Sequence, residues 1–265
     1  MRRIVVFAVM LLLIRAGNAQ VEVTALHKHN YGVRTHSFPL IKSADRNIAD
    51  KINSTLQSEI LDNEIVLTDT TKLFEKTEYR QTGANHQSGL SAIDFDVIQN
   101  TPFVLSVKFT LEGTGATTTY SKKYFTFDTR SGELMTIKNF MTPTGVEVVG
   151  RKLTKERDKR IGDWVEEMKK EINLKPDDIT YINETFEKCN NSPEANNFFI
   201  EEDSVLFYKE DCFPHAARPY DTNLDVRISI KALSKYFSEA GQTRLLPPRK
   251  KRQKLLDDYR DELED

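Results

Sequence analysis

Phe103-Val104-Leu105-Ser106-Val107-Lys108-Phe109-Thr110-Leu111-Glu112 is the stretch that decides the fold. Phe103, Leu105, Val107, Phe109 and Leu111 alternate with Val104, Ser106, Lys108, Thr110 and Glu112, and a period of two predicts a half-buried β-strand. Working outward, Leu90 to Ile98 reads as a preceding strand ended by Asn100-Thr101-Pro102, and Gly113-Thr114-Gly115 turns the chain into a third strand over Thr117 to Phe127. Such short connections favour antiparallel pairing. Asp128-Thr129-Arg130-Ser131-Gly132 is a further tight turn, leading to Leu134 to Ile137.

Upstream, Val21 to Leu26 and Tyr31 to Ile41 have the β-branched and aromatic content of strands. Ser43 reads as the N-cap of a helix whose Ile48, Ile52, Leu56 and Ile60 form one stripe, suited to lying on a sheet. Leu73 to Gln81 is a weaker strand candidate. Downstream, Gly145 to Asn173 is helical by its Ile161, Trp164, Val165, Met168 and Ile172 face, and Pro176 opens a shorter helix running towards Cys189. Strands return at Asn197 to Ile200, Val205 to Lys209 and Leu224 to Ile230, around an acidic turn at Glu201-Glu202-Asp203, and Lys231 to Phe237 is helical. Strands interleaved with helices, without regular β-α-β alternation, define an α+β class: a mainly antiparallel sheet with packed amphipathic helices.

The first residues bear on address. Arg2-Arg3, the apolar run Ile4 to Ile14 and Gly17-Asn18-Ala19 have the order of a secretory signal, and the run is well short of the roughly 20 residues a spanning helix needs. Residues 1–19 are expected to be removed on export, leaving an α+β binding domain over 20–246 and a charged helical tail over 247–265. A periplasmic or secreted location follows, with no integral membrane segment after cleavage. Losing Arg2, Arg3 and Arg15 lowers the 38 basic residues to 35 against 40 acidic ones. The resulting surplus of about five negative charges is no footprint for nucleic acid. In an oxidising compartment Cys189 and Cys212 are expected to form a bridge worth roughly 3 kcal/mol; buried thiols or a metal site are the alternatives, and the C-x-x-C spacing of zinc ribbons is missing.

Two blocks carry a family likeness. Tyr124-Phe125-Thr126-Phe127-Asp128-Thr129-Arg130-Ser131-Gly132-Glu133-Leu134, followed by Ile137 to Phe140, is the first. The second runs from Phe198-Phe199-Ile200-Glu201-Glu202-Asp203-Ser204-Val205-Leu206-Phe207-Tyr208 through Pro214-His215-Ala216-Ala217 to Val226-Arg227-Ile228-Ser229-Ile230. In this order they resemble the extracytoplasmic domain of the lysozyme-sensing anti-sigma factors, which also occurs beside peptidoglycan deacetylase domains and as stand-alone exported proteins. The likeness spans roughly residues 30–240. Where family members often show Gly-Gly-Ala-His, this chain has Gly113-Thr114-Gly115-Ala116-Thr117, so that histidine's role does not carry over. With neither a sigma-binding segment nor a deacetylase domain in the sequence, the resemblance implies an extracytoplasmic binding module without signalling or hydrolytic output of its own. It also points to a bacterium, where the sequons at Asn53, Asn183 and Asn190 have no bearing.

Several constellations are open to a chemical reading. His27, His29 and His36 lie close in sequence, and on a strand His27 and His29 share a face able to ligate zinc or copper; solvent-facing histidines are the plainer reading. Asp94 and Asp96 share a strand face, as an acid and base pair would, but alternate with Ile93, Phe95 and Val97 like the wet side of a strand. Gly113-Thr114-Gly115 joins strand to strand, unlike a phosphate-cradling loop, which opens a helix. Asp128 and Gly132 are explained by turn chemistry, and Trp164, beside Ile161, Val165 and Met168, by a place in the core. No G-x-S-x-G, S-x-x-K or H-E-x-x-H is present, so no catalytic residue, metal ligand or cofactor is assigned, and a dispersed active site stays open.

The binding candidate is the loop Phe213 to Asn223, stapled by the expected Cys189–Cys212 bridge, with Pro214, His215, Arg218, Tyr220 and Asp221 as its contact residues. The basic cluster Arg249-Lys250-Lys251-Arg252-Gln253-Lys254 precedes Leu255, Leu256, Tyr259 and Leu263 on one helical side, and Asp257, Asp258, Glu262, Glu264 and Asp265 largely neutralise it. The expected function is an exported, non-catalytic binding protein of the bacterial envelope that recognises a protein such as lysozyme or cell-wall glycan. The alternatives are a peptidoglycan-modifying enzyme or accessory with a dispersed site, and a structural subunit of an envelope complex docking through its C-terminal helix.

Overall fold

In a computed structural model, the residues described are 21–29, 35–62, 68–75, 89–114, 118–171, 175–190, 197–214, 217 and 220–246. The expected signal peptide, the bulk of Leu73 to Gln81 and the charged tail lie outside them. The chain divides into two compact units, with the boundary between Met135 and Thr136.

The first unit is built on β1 (Glu22–His29), β2 (Thr35–Lys42), α1 (Arg46–Leu61), the single turn α2 (Thr70–Leu73), β3 (Gly89–Asn100), β4 (Val104–Thr114) and β5 (Thr118–Asp128). Its five strands pair in sequence order, antiparallel except between β2 and β3. The alternation that predicted β4 governs the core: Leu105, Val107, Phe109 and Leu111 are buried on one face, in register with Phe127 and Phe125 of β5 and with Ile93 of β3. Ring centroids of Phe109 and Phe38 lie 5.3 Å apart, and Phe125 meets Phe109 edge-on at 5.8 Å. Each such side chain contributes about 1.5–3 kcal/mol by leaving water. The half-buried description fails at one end of β4, where Val104 and Ser106 are buried as well. Ser106 is satisfied there by the hydroxyl of Thr126, 3.2 Å away on β5, with no need for water.

Helix α1 packs on the sheet through Ile52, Leu56 and Ile60 of the predicted stripe, with Ile48 half-buried. Its N-cap is Asp45, two residues beyond the expected Ser43: Asp45 Oδ1 accepts the Asn47 amide at 2.9 Å, while Ser43 Oγ accepts the amide of Asp45 itself. The helix ends at Asp62, whose left-handed φ of 53° turns its N–H back to Gln57 and Ser58. Lys123 of β5 reaches across to the Glu59 carbonyl, placing a cation at the negative end of the helix.

Leu73 was expected to open a strand, but it closes α2: Asp69 accepts the Lys72 amide through its side chain and the Leu73 amide through its carbonyl. Past Gly132, Leu134 makes only an isolated bridge to Phe127 rather than a strand.

The second unit opens with a 3-10 turn (Ile137–Asn139), then α3 (Pro143–Glu171) and α4 (Pro176–Asn190). It continues with the antiparallel strands β6 (Phe198–Glu201), β7 (Ser204–Phe207) and β8 (Val226–Ser229), then α5 (Ile230–Leu233) and α6 (Glu239–Leu245). Val165 of α3 and Ile182 and Phe186 of α4 enclose a core with Phe213 and Leu224. Trp164 is half-buried against Phe186, at 6.0 Å. The fully buried guanidinium of Arg157 donates to the carbonyls of Leu224 and Tyr208, and Arg160 donates to the Asp225 carbonyl. These bonds tie α3 to the approaches of β7 and β8. Strands and helices in both units make the protein α+β. Among the described residues, no helix is long and apolar enough to cross a membrane.

Candidate functional site

Residues Asp128 to Glu133 turn through bonds that begin and end at Asp128. Its carbonyl accepts the Gly132 amide at 2.8 Å, its amide donates to Glu133, and its buried carboxylate accepts the Arg130 amide and Nε. Gly132 has φ of +74°, a conformation that strains any side chain with a Cβ. It also lies so close to α1 that a Cβ there would stand 2.8 Å from the Ile48 carbonyl oxygen. Asp128 thus shapes the turn, and Gly132 seats it on the helix.

Between that turn and the outer face of α1 lies an open groove of about 700 Å³. Arg46, Asp50, Lys51 and Glu133 line it together with Ser54, Thr55 and Thr68, of which Thr55 donates its hydroxyl to the Lys51 carbonyl at 3.0 Å. Lys51 Nζ bonds Glu133 Oε1, joining helix to turn, and Arg46 pairs with Asp50 one turn apart at 3.4 Å. The volume is within the range of small-ligand sites, but most such sites are apolar. Hydroxyls and both signs of charge suit a hydroxylated, polar ligand whose groups exchange hydrogen bonds with the walls. None of Arg46, Asp50, Lys51, Ser54 or Thr55 stands out in the sequence. They are the polar side of an amphipathic helix, and only the return of Gly132 and Glu133 makes a groove of them.

In the second unit, Cys189 and Cys212 form the expected bridge, with Cα atoms 5.6 Å apart. It fastens the end of α4 to the start of the loop singled out in the sequence. Phe213 is buried against Phe186, at 4.9 Å, and Tyr220 packs at 6.3 Å from Phe213. The Asp221 carboxylate accepts the amides of Phe213 and Thr222, pulling both ends of the loop together. Burial pushes this carboxyl above its ordinary value, against those amide bonds, which pull it down; the charge of Asp211 adds to the rise. Pro214 is exposed. His215 and Arg218 lie outside the described residues. Tyr220 and Asp221 are half-buried; Asp221 bonds within the loop, and Tyr220 packs against the core cluster that contains Phe213.

The two described histidines, His27 and His36, do not come together. His27 pairs with Ser37 while His36 pairs with Lys28, so His27 and His36 take opposite faces of the sheet. His27 is exposed, whereas His36 is buried and stacks on Phe74 at 5.3 Å. The side chain of His29 lies outside the described residues, and among those described no three His, Cys, Asp or Glu residues are grouped to hold a metal. Asp94 and Asp96 are both exposed, the latter paired with Lys108 at 2.9 Å. Residues 115–117 lie outside the described set, but β4 and β5 are registered up to Thr114 and Thr118, so strand follows strand.

The chain is similar to two solved structures. One is a crystal structure of a DUF3298 family member from Bacteroides fragilis, 15% identical, with a TM-score of 0.53 over 83% of this chain and 94% of that one. The other is a DUF3298 family protein from Pseudomonas aeruginosa, 12% identical, with a TM-score of 0.50 over the same shares. At these identities the likeness is one of fold. No family model matches the sequence, and no curated protein does.

Proposed function

We propose that the protein is an exported, non-catalytic binding protein of the bacterial envelope, and that it recognises cell-wall glycan or a protein that meets it there, such as lysozyme. The groove between α1 and the Asp128–Glu133 turn carries this reading. Its hydroxyls and paired charges are suited to a chain of sugars bearing hydroxyl, amide and carboxylate groups, and its rim is the segment resembling the anti-sigma sensor domain. The Cys189–Cys212 bridge supports a periplasmic or secreted location, where disulfides persist. In this reading residues 1–19 are removed on export, 20–246 bind, and 247–265 form the tail. Pro214, His215, Arg218, Tyr220 and Asp221 offer a second contact surface on the stapled loop.

The test is equilibrium binding of the mature protein to solubilised peptidoglycan glycan and to lysozyme, beside the Lys51→Ala/Glu133→Ala double variant. Binding of either ligand, weakened at least tenfold in a variant with an unchanged circular dichroism spectrum, is expected. Retention of neither ligand, or undiminished binding by the double variant, overturns the proposal.

A further inference from the structure

Charge is sorted along α3. From Thr144 to Arg160 the helix carries six basic residues against three acidic ones, and from Ile161 to Glu171 two against four. The whole chain has more acidic residues than basic ones, 40 to 38, so the first half of α3 runs against the trend. The helix dipole does not account for this, because it favours cations in the last turn and anions in the first.

Arg151, Lys155 and Lys159 follow one another at intervals of four, with Lys152 beside them, on the side of the helix opposite buried Val149, Leu153 and Arg157. All four cations are exposed. Four residues advance a helix by about 6 Å, so the line is roughly 12 Å long. Lys159 lies 3.7 Å from Asp163, and elsewhere on α3 Arg160 bonds Glu156 and Lys169 bonds Glu166. Arg151, Lys152 and Lys155 pair with no carboxylate among the described residues. A charged helix face is commonly no more than its solvated side, and there the two signs are mixed. On this face one sign is gathered.

We infer that this face of α3 docks on an anionic lipid surface, with Arg151, Lys152, Lys155 and Lys159 meeting the headgroups of a bilayer. Charge complementarity gives the sign of the partner, and shape gives its kind. The outer side of a helix is convex and offers no walls to enclose a small anion, whereas a plane of headgroups reaches all four cations at once. Each cation near such a surface adds to the attraction, and salt screens them together. The line of side chains is charged throughout, so the contact stays at the headgroups. It does not depend on what fills the groove on α1.

Co-sedimentation of the full mature protein with vesicles tests this, using phosphatidylcholine alone and an equimolar mixture of phosphatidylcholine and phosphatidylglycerol. Binding to the mixed vesicles only, reversed by high salt, is expected. Arg151→Gln/Lys152→Gln/Lys155→Gln should weaken it at least tenfold with an unchanged circular dichroism spectrum, since the three side chains are exposed. Arg249→Gln/Lys250→Gln/Lys251→Gln removes the same charge from the tail and should bind nearly as wild type does. Equal binding to both kinds of vesicle, binding to neither, or an α3 variant that binds as wild type does overturns the inference. A loss in the tail variant equal to that in the α3 variant does so too. Inorganic polyphosphate is the arm for a dissolved polymer: binding to it as tight, phosphate for phosphate, as to the mixed vesicles overturns the assignment to a lipid surface.

Discussion

The side-chain amide of Asn53 grips the peptide of Ile41 from both sides: Oδ1 accepts the Ile41 N–H at 2.9 Å, and Nδ2 donates to the Ile41 carbonyl at 2.8 Å. Asn53 is buried on α1 and Ile41 on β2, so the pair closes two backbone groups where no strand partner reaches them. Asn53→Ala leaves both unsatisfied in the interior. At about 1–3 kcal/mol for each stranded group, a loss of roughly 2–6 kcal/mol is expected. Asn53→Asp, which keeps an acceptor but no donor, should also destabilise. Urea midpoints measure both. The same geometry makes the Asn53-Ser54-Thr55 sequon incompatible with the fold: expression through a eukaryotic secretory pathway should give misfolded glycoprotein, relieved by Thr55→Val, which abolishes the sequon.

Opening the Cys189–Cys212 bridge, across 23 positions, should cost about 3 kcal/mol through the freedom regained by the unfolded chain. The Cys189→Ser/Cys212→Ser double variant, compared with wild type by chemical denaturation with and without reductant, checks this. A wild type insensitive to reductant while the variant is destabilised would point to lost packing instead.

Gly132→Ala combines an unfavourable φ with a Cβ too close to the Ile48 carbonyl, so a fall of roughly 1–3 kcal/mol is expected, visible as a lower Tm. Because the turn must lift off α1 to admit the methyl group, the ligand binding proposed for the groove should weaken in parallel. A variant as stable as wild type would count against the seating described for the turn.

Asp221 gives a pH dependence of unusual sign. Its folded carboxyl holds its proton more tightly than the unfolded one, so its contribution to stability is complete below the ordinary aspartate value, about 3.9, and is lost as pH rises through the elevated folded value. Other carboxylates of the protein act on the same curve, so the observable is a difference. As pH rises from below the ordinary aspartate value through the raised folded one, wild type should lose stability relative to Asp221→Asn, and parallel curves for the two would contradict the assignment.

Much of the architecture is legible where the signal is local. The period of two at Leu105 to Leu111, the helical stripe Ile48, Ile52, Leu56 and Ile60, and the cysteine pair each state their outcome within a short window. Where two local signals compete, the reading slips. Ser43 and Asp45 both suit an N-cap, and the hydroxyl of Ser43 serves the Asp45 amide instead of the helix. Leu73, next to Phe74, suggested a strand, but Asp69 supplies the capping bonds that close a helical turn. The groove was beyond reach for a different reason. Lys51 and Glu133 are 82 positions apart, and polar residues on the outer side of a helix look like a solvated face until another segment is brought to them. The composition of the loop at Phe213 marks it as a surface segment, and its half-buried Tyr220 and Asp221 also hold it in place.

Among the described residues, β2 meets β3 in register at His36 and Ile93 alone, whereas β3, β4 and β5 form a meander of neighbouring strands. A meander gathers contacts that are close in sequence; the β2 pairing must first close the long stretch containing α1, and closing long loops slows folding. The first unit should therefore assemble its meander early and dock the β1–β2 hairpin late. Substitutions in the Phe109 and Phe125 contact should slow refolding, while Asn53→Ala, at the hairpin's attachment to α1, should mainly hasten unfolding.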